Sequence, residues 1–149
     1  MTIDQDIQQS KFRNSKQKAL VNIIYTHNYI INQLNEVFKK HDVTRQQYNV
    51  LRILRGSHPE PVTINDIKER MLDKMSDASR IVDRLKNKGM VERTQSPNDR
   101  RAVEVRISEA GLDFLNSTDP DVSEFETIFD SLGEGELSQL NLLLDKIRE

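Results

Sequence analysis

Ser76-Asp77-Ala78-Ser79-Arg80-Ile81-Val82-Asp83-Arg84-Leu85-Lys86-Asn87-Lys88-Gly89 is the stretch whose reading decides the fold. At about 100° per residue, Ala78, Ile81, Val82 and Leu85 fall on one side of a helix. Ser76, Arg80, Asp83 and Asn87 fall on the opposite side, flanked by Ser79, Arg84 and Lys86. The outer face therefore carries donors and acceptors and no large apolar group. Ser76 is expected to cap the helix, and Gly89 fits the left-handed position that ends one.

Working upstream, Thr63 is a good N-cap for a preceding helix, with Asp66 in its first turn and Ile64, Ile67, Met71 and Leu72 as its inner stripe. The break at Asp73-Lys74-Met75 is short, so two helices follow each other closely. Working downstream, Met90 to Thr94 and Ala102 to Ile107 read as strands. Val103, Val105 and Ile107 alternate with Glu104 and Arg106. Pro97, Asn98 and Asp99 form turns, so the strands predict a hairpin with Arg100 and Arg101 at its tip.

The flanks are helical. From about Phe12 to Lys40, Leu20, Ile23, Ile24, His27, Ile30, Ile31, Leu34, Val37 and Phe38 keep helical spacing with no Gly or Pro between them. So long a terminal helix serves either as an oligomerisation arm or as packing for its own domain. Thr44 and Gln47 form a capping box for a second helix, which Gly56 is expected to end, before Pro59 and Pro61 force an extended connector. Ser108 caps a fifth helix, which Asp119-Pro120 is expected to interrupt or kink. Gly133 and Gly135 precede a sixth, with Leu137, Leu140, Leu143, Leu144 and Ile147 on one face.

A chain of 149 residues suits one domain with a real core. A charged fraction of 31% and a mean hydropathy of -0.67 predict a soluble, cytoplasmic protein, with no stretch apolar enough for a membrane span. The absence of cysteine excludes disulfides, thiolate metal sites and cysteine redox switches. The net charge of -2 conceals an uneven distribution: residues 1–62 carry +4, residues 63–108 carry +3 and residues 109–149 carry -9. A fold that separates these parts presents a positive face to phosphates.

Two close helices, the second polar outward, form the helix-turn-helix pattern that enters the DNA major groove. The ribbon strengthens the reading, because the minor groove's negative potential favours inserted arginine. Asp99 is placed to hold one of these arginines extended through a charge-assisted hydrogen bond.

Order and signature here resemble the MarR (multiple-antibiotic-resistance regulator) family of winged helix-turn-helix transcription factors. The resemblance rests on Ser79-Arg80-Ile81-Val82-Asp83-Arg84-Leu85, Lys88-Gly89-Met90-Val91-Glu92-Arg93, Asp99-Arg100-Arg101-Ala102-Val103 and Val105-Arg106-Ile107-Ser108-Glu109-Ala110-Gly111. It is strongest from Thr63 to Gly111. It implies one mainly α domain over 1–149: four helices, a small β-hairpin wing, then two more helices. Residues 12–40 and 109–149 become dimerisation helices of an intertwined homodimer, and 44–107 the DNA-binding lobe. It implies repression at a pseudo-palindromic operator on double-stranded DNA, relieved in many members by a small phenolic or aromatic effector. By motif match, Arg101 is the wing's minor-groove arginine and Asp99 its orienter, while Ser79, Arg80, Asp83 and Arg84 match recognition-helix positions. With Thr63, Ser76, Lys86 and Arg100 they complete the expected DNA-contacting set. Asp77 departs from the uncharged residue many members place there.

Other chemistry is thinly represented. Three histidines, His27, His41 and His58, show no paired metal-ligand spacing, so neither a metal nor any other cofactor is expected. Tyr25, Tyr29 and Tyr48, with His27, are candidates to line an effector pocket. Core packing for the tyrosines and a satisfied, semi-buried His27 are the plainer readings. No Gly-rich phosphate loop or nucleophile–His–acid pattern points to an enzyme. The rival to a DNA-binding regulator is a winged-helix module for protein–protein assembly, with the acidic tail as its partner surface.

Overall fold

In a computed structural model the chain is described from Met1 to Glu149 and divides into two compact units, Met1–Asp42 and Val43–Glu149. No helix is long and apolar enough to cross a membrane.

The first unit holds a short helix α1 (Ile3–Asp6), absent from the sequence reading, and the long helix α2 (Ser15–Lys40). The long helix begins at Ser15 rather than Phe12, because the Asn14 side chain accepts the Gln17 amide at 2.9 Å and acts as its N-cap. Lys18 pairs with Asp4 at 2.8 Å and lies over the Phe12 ring, tying the two helices together. Leu20, Ile23, Ile24, Tyr25 and Tyr29 are exposed. His27 is exposed as well, which corrects the semi-buried histidine expected at that position.

The second unit begins with α3 (Arg45–Ser57), capped by Thr44 and Gln47 as expected and burying Tyr48, Val50, Leu51, Ile53 and Leu54. Gly56 does not end it. The helix runs on through Ser57 and stops at His58, before Pro59. Strand β1 (Val62–Thr63) and helix α4 (Ile64–Arg70) follow, then α5 (Ala78–Asn87), β2 (Val91–Gln95) and β3 (Val103–Ile107). The expected hairpin is thus the larger part of a three-stranded antiparallel sheet of order β1-β3-β2. Val62 faces Val105 across one pair, and Val91 faces Ile107 across the other. Its apolar side shares one core with Leu51, Leu54, Ile67, Met71, Val82 and Leu85. Leu72, expected inside, is 88% exposed: the helix stops at Met71 and turns the next side chain outward.

Helix α6 (Glu109–Phe125) continues through Pro120, without the interruption expected there. Proline at this position deprives the Asn116 carbonyl of its donor. Both residues are exposed, so the freed carbonyl is not sealed in the core and no break is forced. A 3₁₀ turn (Glu126–Phe129) and α7 (Glu134–Ile147) complete the chain, with Gly133 as the N-cap and Gly135 inside the helix. Phe129, Leu140, Leu142, Leu143 and Ile147 are exposed.

Candidate nucleic-acid interface

Helix α5 is held from behind. Ala78, Val82 and Leu85 are buried and Ile81 is half-buried, leaving Ser79, Arg80, Asp83, Arg84, Lys86 and Asn87 in solvent. The N-cap is Asp77, whose Oδ1 accepts the Arg80 amide at 3.1 Å. This corrects the assignment of that role to Ser76. The Ser76 hydroxyl is turned inward and buried, so it does not belong among surface contacts. It also explains Asp77. A carboxylate at the positive end of a helix stabilises it, whatever it costs in repulsion near phosphate. In the turn before it, Asp73 accepts the Met75 amide at 3.0 Å and Leu72 donates to Asn49 Oδ1 at 2.9 Å. The Met75 amide bond, opposed by partial burial and aided by Gln46 and the charge of Arg45, holds the Asp73 carboxyl below its ordinary pKa.

The C-terminal end of α5 closes in a Schellman motif. The Met90 amide donates to Leu85 O at 3.0 Å and the Gly89 amide to Lys86 O at 2.9 Å, with Gly89 at φ +75°. Ser108 locks this end to the start of α6. Its hydroxyl donates to Gly89 O at 2.6 Å and accepts the Gly111 amide at 3.1 Å, so one side chain caps α6 and anchors α5. Arg93 on β2 pairs with Asp83, a second tie between helix and ribbon. Asp83, expected at the DNA-facing side, is exposed there, and its carboxylate is paired with Arg93. Arg93 is a residue the sequence reading missed as part of the site, since nothing but the fold brings it to Asp83.

The ribbon tip runs from Ser96 to Ala102. The Ser96 amide donates to Ala102 O at 2.9 Å and the Ala102 amide to Asp99 O at 3.1 Å. Asp99 Oδ1 accepts the backbone amide of Arg101 at 2.9 Å, not its guanidinium. Asp99 therefore shapes the turn through the Arg101 amide, in place of the expected charge-assisted bond to an arginine side chain. Gln95 donates to the Arg100 carbonyl and braces the tip from the strand. Arg100 and Arg101 are exposed and carry no ion pair within the chain, so their charge is available. Thr63 is half-buried, and its hydroxyl accepts the Asp66 amide at 3.1 Å as the cap of α4.

A polar cluster joins α3 to α6. Asp119 accepts from Tyr48 Oη at 2.9 Å and from Arg55 Nη1 at 2.6 Å, while Arg52 reaches Tyr48 Oη at 3.4 Å. Partial burial raises the Asp119 carboxyl, but the bonds from Arg55 and Tyr48 and the charge of Arg55 outweigh it and leave the pKa low. Burial pushes the Tyr48 phenol up, with Asp119 adding to this and Arg52 opposing it.

The four residues proposed for an effector pocket are not assembled as one. Tyr25 and Tyr29 line an open groove of about 750 Å³ within the first unit, together with Met1, Ile3, Lys18 and Asn22. His27 is not among the lining residues. Tyr48 is buried and bonded to Asp119, where a core role satisfies it. No group of three His, Cys, Asp or Glu side chains is arranged to hold a metal ion.

A helix-turn-helix with a clean polar front and a basic ribbon beside it defines a winged-helix protein. A family model described as the MarR family matches residues 41–102. The chain is 30% identical over 122 residues to the HTH-type transcriptional repressor IacR of Pseudomonas putida, covering 81% of this chain and 72% of that one. Its fold matches the crystal structure of a MarR transcription factor from Planctomyces limnophilus with a TM-score of 0.70 and 32% identity, over 91% of this chain and 98% of the other. It also matches a mutant MarR from Escherichia coli complexed with operator DNA, with a TM-score of 0.75 and 27% identity, over 87% and 93% of the two chains. The chain belongs to the MarR family of winged-helix transcription regulators.

Proposed function

We propose that this chain is a homodimeric repressor that binds a pseudo-palindromic operator on double-stranded DNA. The observation that carries the reading is the front of α5. Arg80, Arg84 and Lys86 stand in solvent on a helix whose back is buried and whose two ends are both capped, with the unpaired Arg100 and Arg101 on the wing beside it. Ser79 and Arg80 lie at the N-terminal end of the helix, the end that meets base edges in this motif. The solved complex of the Escherichia coli relative with operator DNA supports the same use of the fold. Exposed Leu20, Ile23 and Ile24 in the first unit, and Leu140, Leu142, Leu143 and Ile147 in the second, are apolar area that a second copy would cover. Release by a small phenolic or aromatic effector is the finer part of the reading. Of the residues expected to line its pocket, only Tyr25 and Tyr29 share one concavity.

The test is duplex affinity as a function of salt. A regulator binds its own site at about 10⁻⁸ M or tighter, with log affinity falling linearly in log salt. Arg101→Ala is expected to weaken binding by about 1–3 kcal/mol while leaving the dimer intact. Arg80→Ala should lose affinity in proportion to how well the duplex matches the operator. Normal affinity in Arg101→Ala refutes the wing assignment, and little binding by the wild type at moderate salt favours a protein–protein assembly module instead.

A further inference from the structure

Thr118 is the last buried residue in the chain, and everything after it on α6, the 3₁₀ turn and α7 is half-buried or exposed. The next residue, Asp119, uses both carboxylate oxygens on donors from α3: Tyr48 Oη on Oδ1 and Arg55 Nη1 on Oδ2. Immediately beyond stands Pro120, which removes one helix hydrogen bond and leaves this turn of α6 with less of its own restraint. A two-donor clamp thus sits beside the turn of α6 that lacks a backbone hydrogen bond at Pro120. The donors lie 71 and 64 residues away in sequence, so the clamp ties distant parts of the fold and is not a local cap.

The partners are individually restrained. Arg55 lies in the last turn of α3, and Tyr48 is itself 7% exposed, so its ring is fixed by the core and its hydroxyl has little freedom. Arg52 stands over the Tyr48 ring, its guanidinium carbon 5.9 Å from the centroid, and approaches its oxygen. The depressed Asp119 carboxyl keeps the clamp charged throughout the neutral range. At the other end of α6, Ser108 binds Gly89, and Gly111 leaves no space for a side chain against Met90. Helix α6 is therefore pinned twice, once to the end of the recognition helix and once to α3.

We propose that Asp119 is a positioning residue: by clamping α6 to Tyr48 and Arg55 beside Pro120, it fixes the direction in which the C-terminal helices leave the DNA-binding lobe. In its consequence for DNA this rests on the reading proposed above. In a dimer joined through those helices, the clamp sets the separation of the two recognition helices and so the half-site spacing that is read. Asp119 touches no base or phosphate in this account.

The test has two arms on the full-length chain. Because the protein has no cysteine, Lys68→Cys on α4 and Glu124→Cys on α6 give a unique pair of spin labels. Labelled chains diluted with unlabelled ones report the distance distribution within one subunit, without DNA and without regard to the dimer. Asp119→Ala, and Tyr48→Phe as a milder variant that keeps the ring in the core, should broaden that distribution, Asp119→Ala more. Unchanged widths in both variants overturn the proposal. The second arm measures affinity for a single half-site and for palindromes whose spacing is changed by single base pairs. Asp119→Ala is expected to bind the best palindrome about tenfold more weakly while keeping its half-site affinity, because loosened heads lose effective concentration for the second half-site. Its preference among spacings should flatten. An equal loss on half-site and palindrome, or an unflattened spacing profile, overturns the positioning role and leaves a merely stabilising one. If the wild type binds no duplex at all, the DNA-binding reading fails while the label distances still decide the clamp.

Discussion

The Ser108 hydroxyl donates to the Gly89 carbonyl at 2.6 Å, joining the end of the recognition helix to the start of the helix that carries the chain away from the wing. The same oxygen accepts the Gly111 amide, so it works as cap and strut together. Ser108→Ala should therefore cost at least the usual value of an N-cap, about 0.5–2 kcal/mol. Ser108→Thr should recover most of it. Denaturant melts at one fixed protein concentration check this; an unchanged midpoint in Ser108→Ala would mean that neither bond contributes.

Gly111 supplies a close approach that no side chain permits. A Cβ there would overlap the Met90 carbonyl oxygen and come within 2.7 Å of Ile107 Cγ1. The obstacle at Met90 is backbone, held by its own bond from the Ser108 amide at 2.9 Å, so relief requires moving α6 off the sheet. Gly111→Ala is expected to destabilise the chain by about 1–3 kcal/mol, as overpacking does. This holds although alanine ordinarily favours a helix over glycine. A melting temperature equal to or above that of the wild type would show that the gap opens without cost.

Asp77 caps α5 at a position that the proposed function brings close to phosphate. Asp77→Ala should lose about 1 kcal/mol of stability, whereas Asp77→Asn keeps the capping oxygen and loses far less. Removing the charge should at the same time strengthen duplex binding, and most at low salt, where like-charge repulsion is least screened. The two measurements, melting and affinity, should move in opposite directions in Asp77→Ala. Parallel changes would show that capping alone decides the behaviour of this residue.

The features that were legible in the sequence are those whose partners lie within a turn or two. Thr44, Thr63 and Ser108 each serve a backbone amide three residues on, and Gly89 answers a purely local need for a positive φ. The periodicity of Val103, Val105 and Ile107 marked a half-buried strand for the same reason. What escaped depended on placement in space. A two-residue strand such as Val62–Thr63 has no period to detect, and only β3 beside it makes it a strand. Whether Pro120 breaks a helix turns on whether Asn116, whose carbonyl it deprives of a donor, is exposed in the fold. Ser76 and Asp77 are both competent caps, and only the buried core beneath Ala78 chooses between them. The Asp83–Arg93 pair and the Asp119 cluster join residues on different elements, which no local pattern encodes. At the tip, closeness in sequence pairs Asp99 with Arg101 but does not decide the atom: Asp99 meets the amide of Arg101 and not its guanidinium.

Acid should unfold the protein through specific carboxyls. Both Asp119 and Asp73 titrate below their ordinary value in the folded chain. A carboxyl whose folded pKa is depressed adds stability that is fully present above its unfolded pKa, near 4, and is lost as pH falls through the folded value. Stability should accordingly be level near neutrality and fall below about pH 5. Asp119→Asn removes one of these groups while keeping an oxygen for Tyr48 or Arg55. The variant should be less stable than the wild type at neutral pH and show a shallower acid slope. The difference between the two should shrink toward pH 3. Urea melts across this range provide the measurement, and parallel curves for the two proteins would mean that the Asp119 charge contributes nothing to the fold.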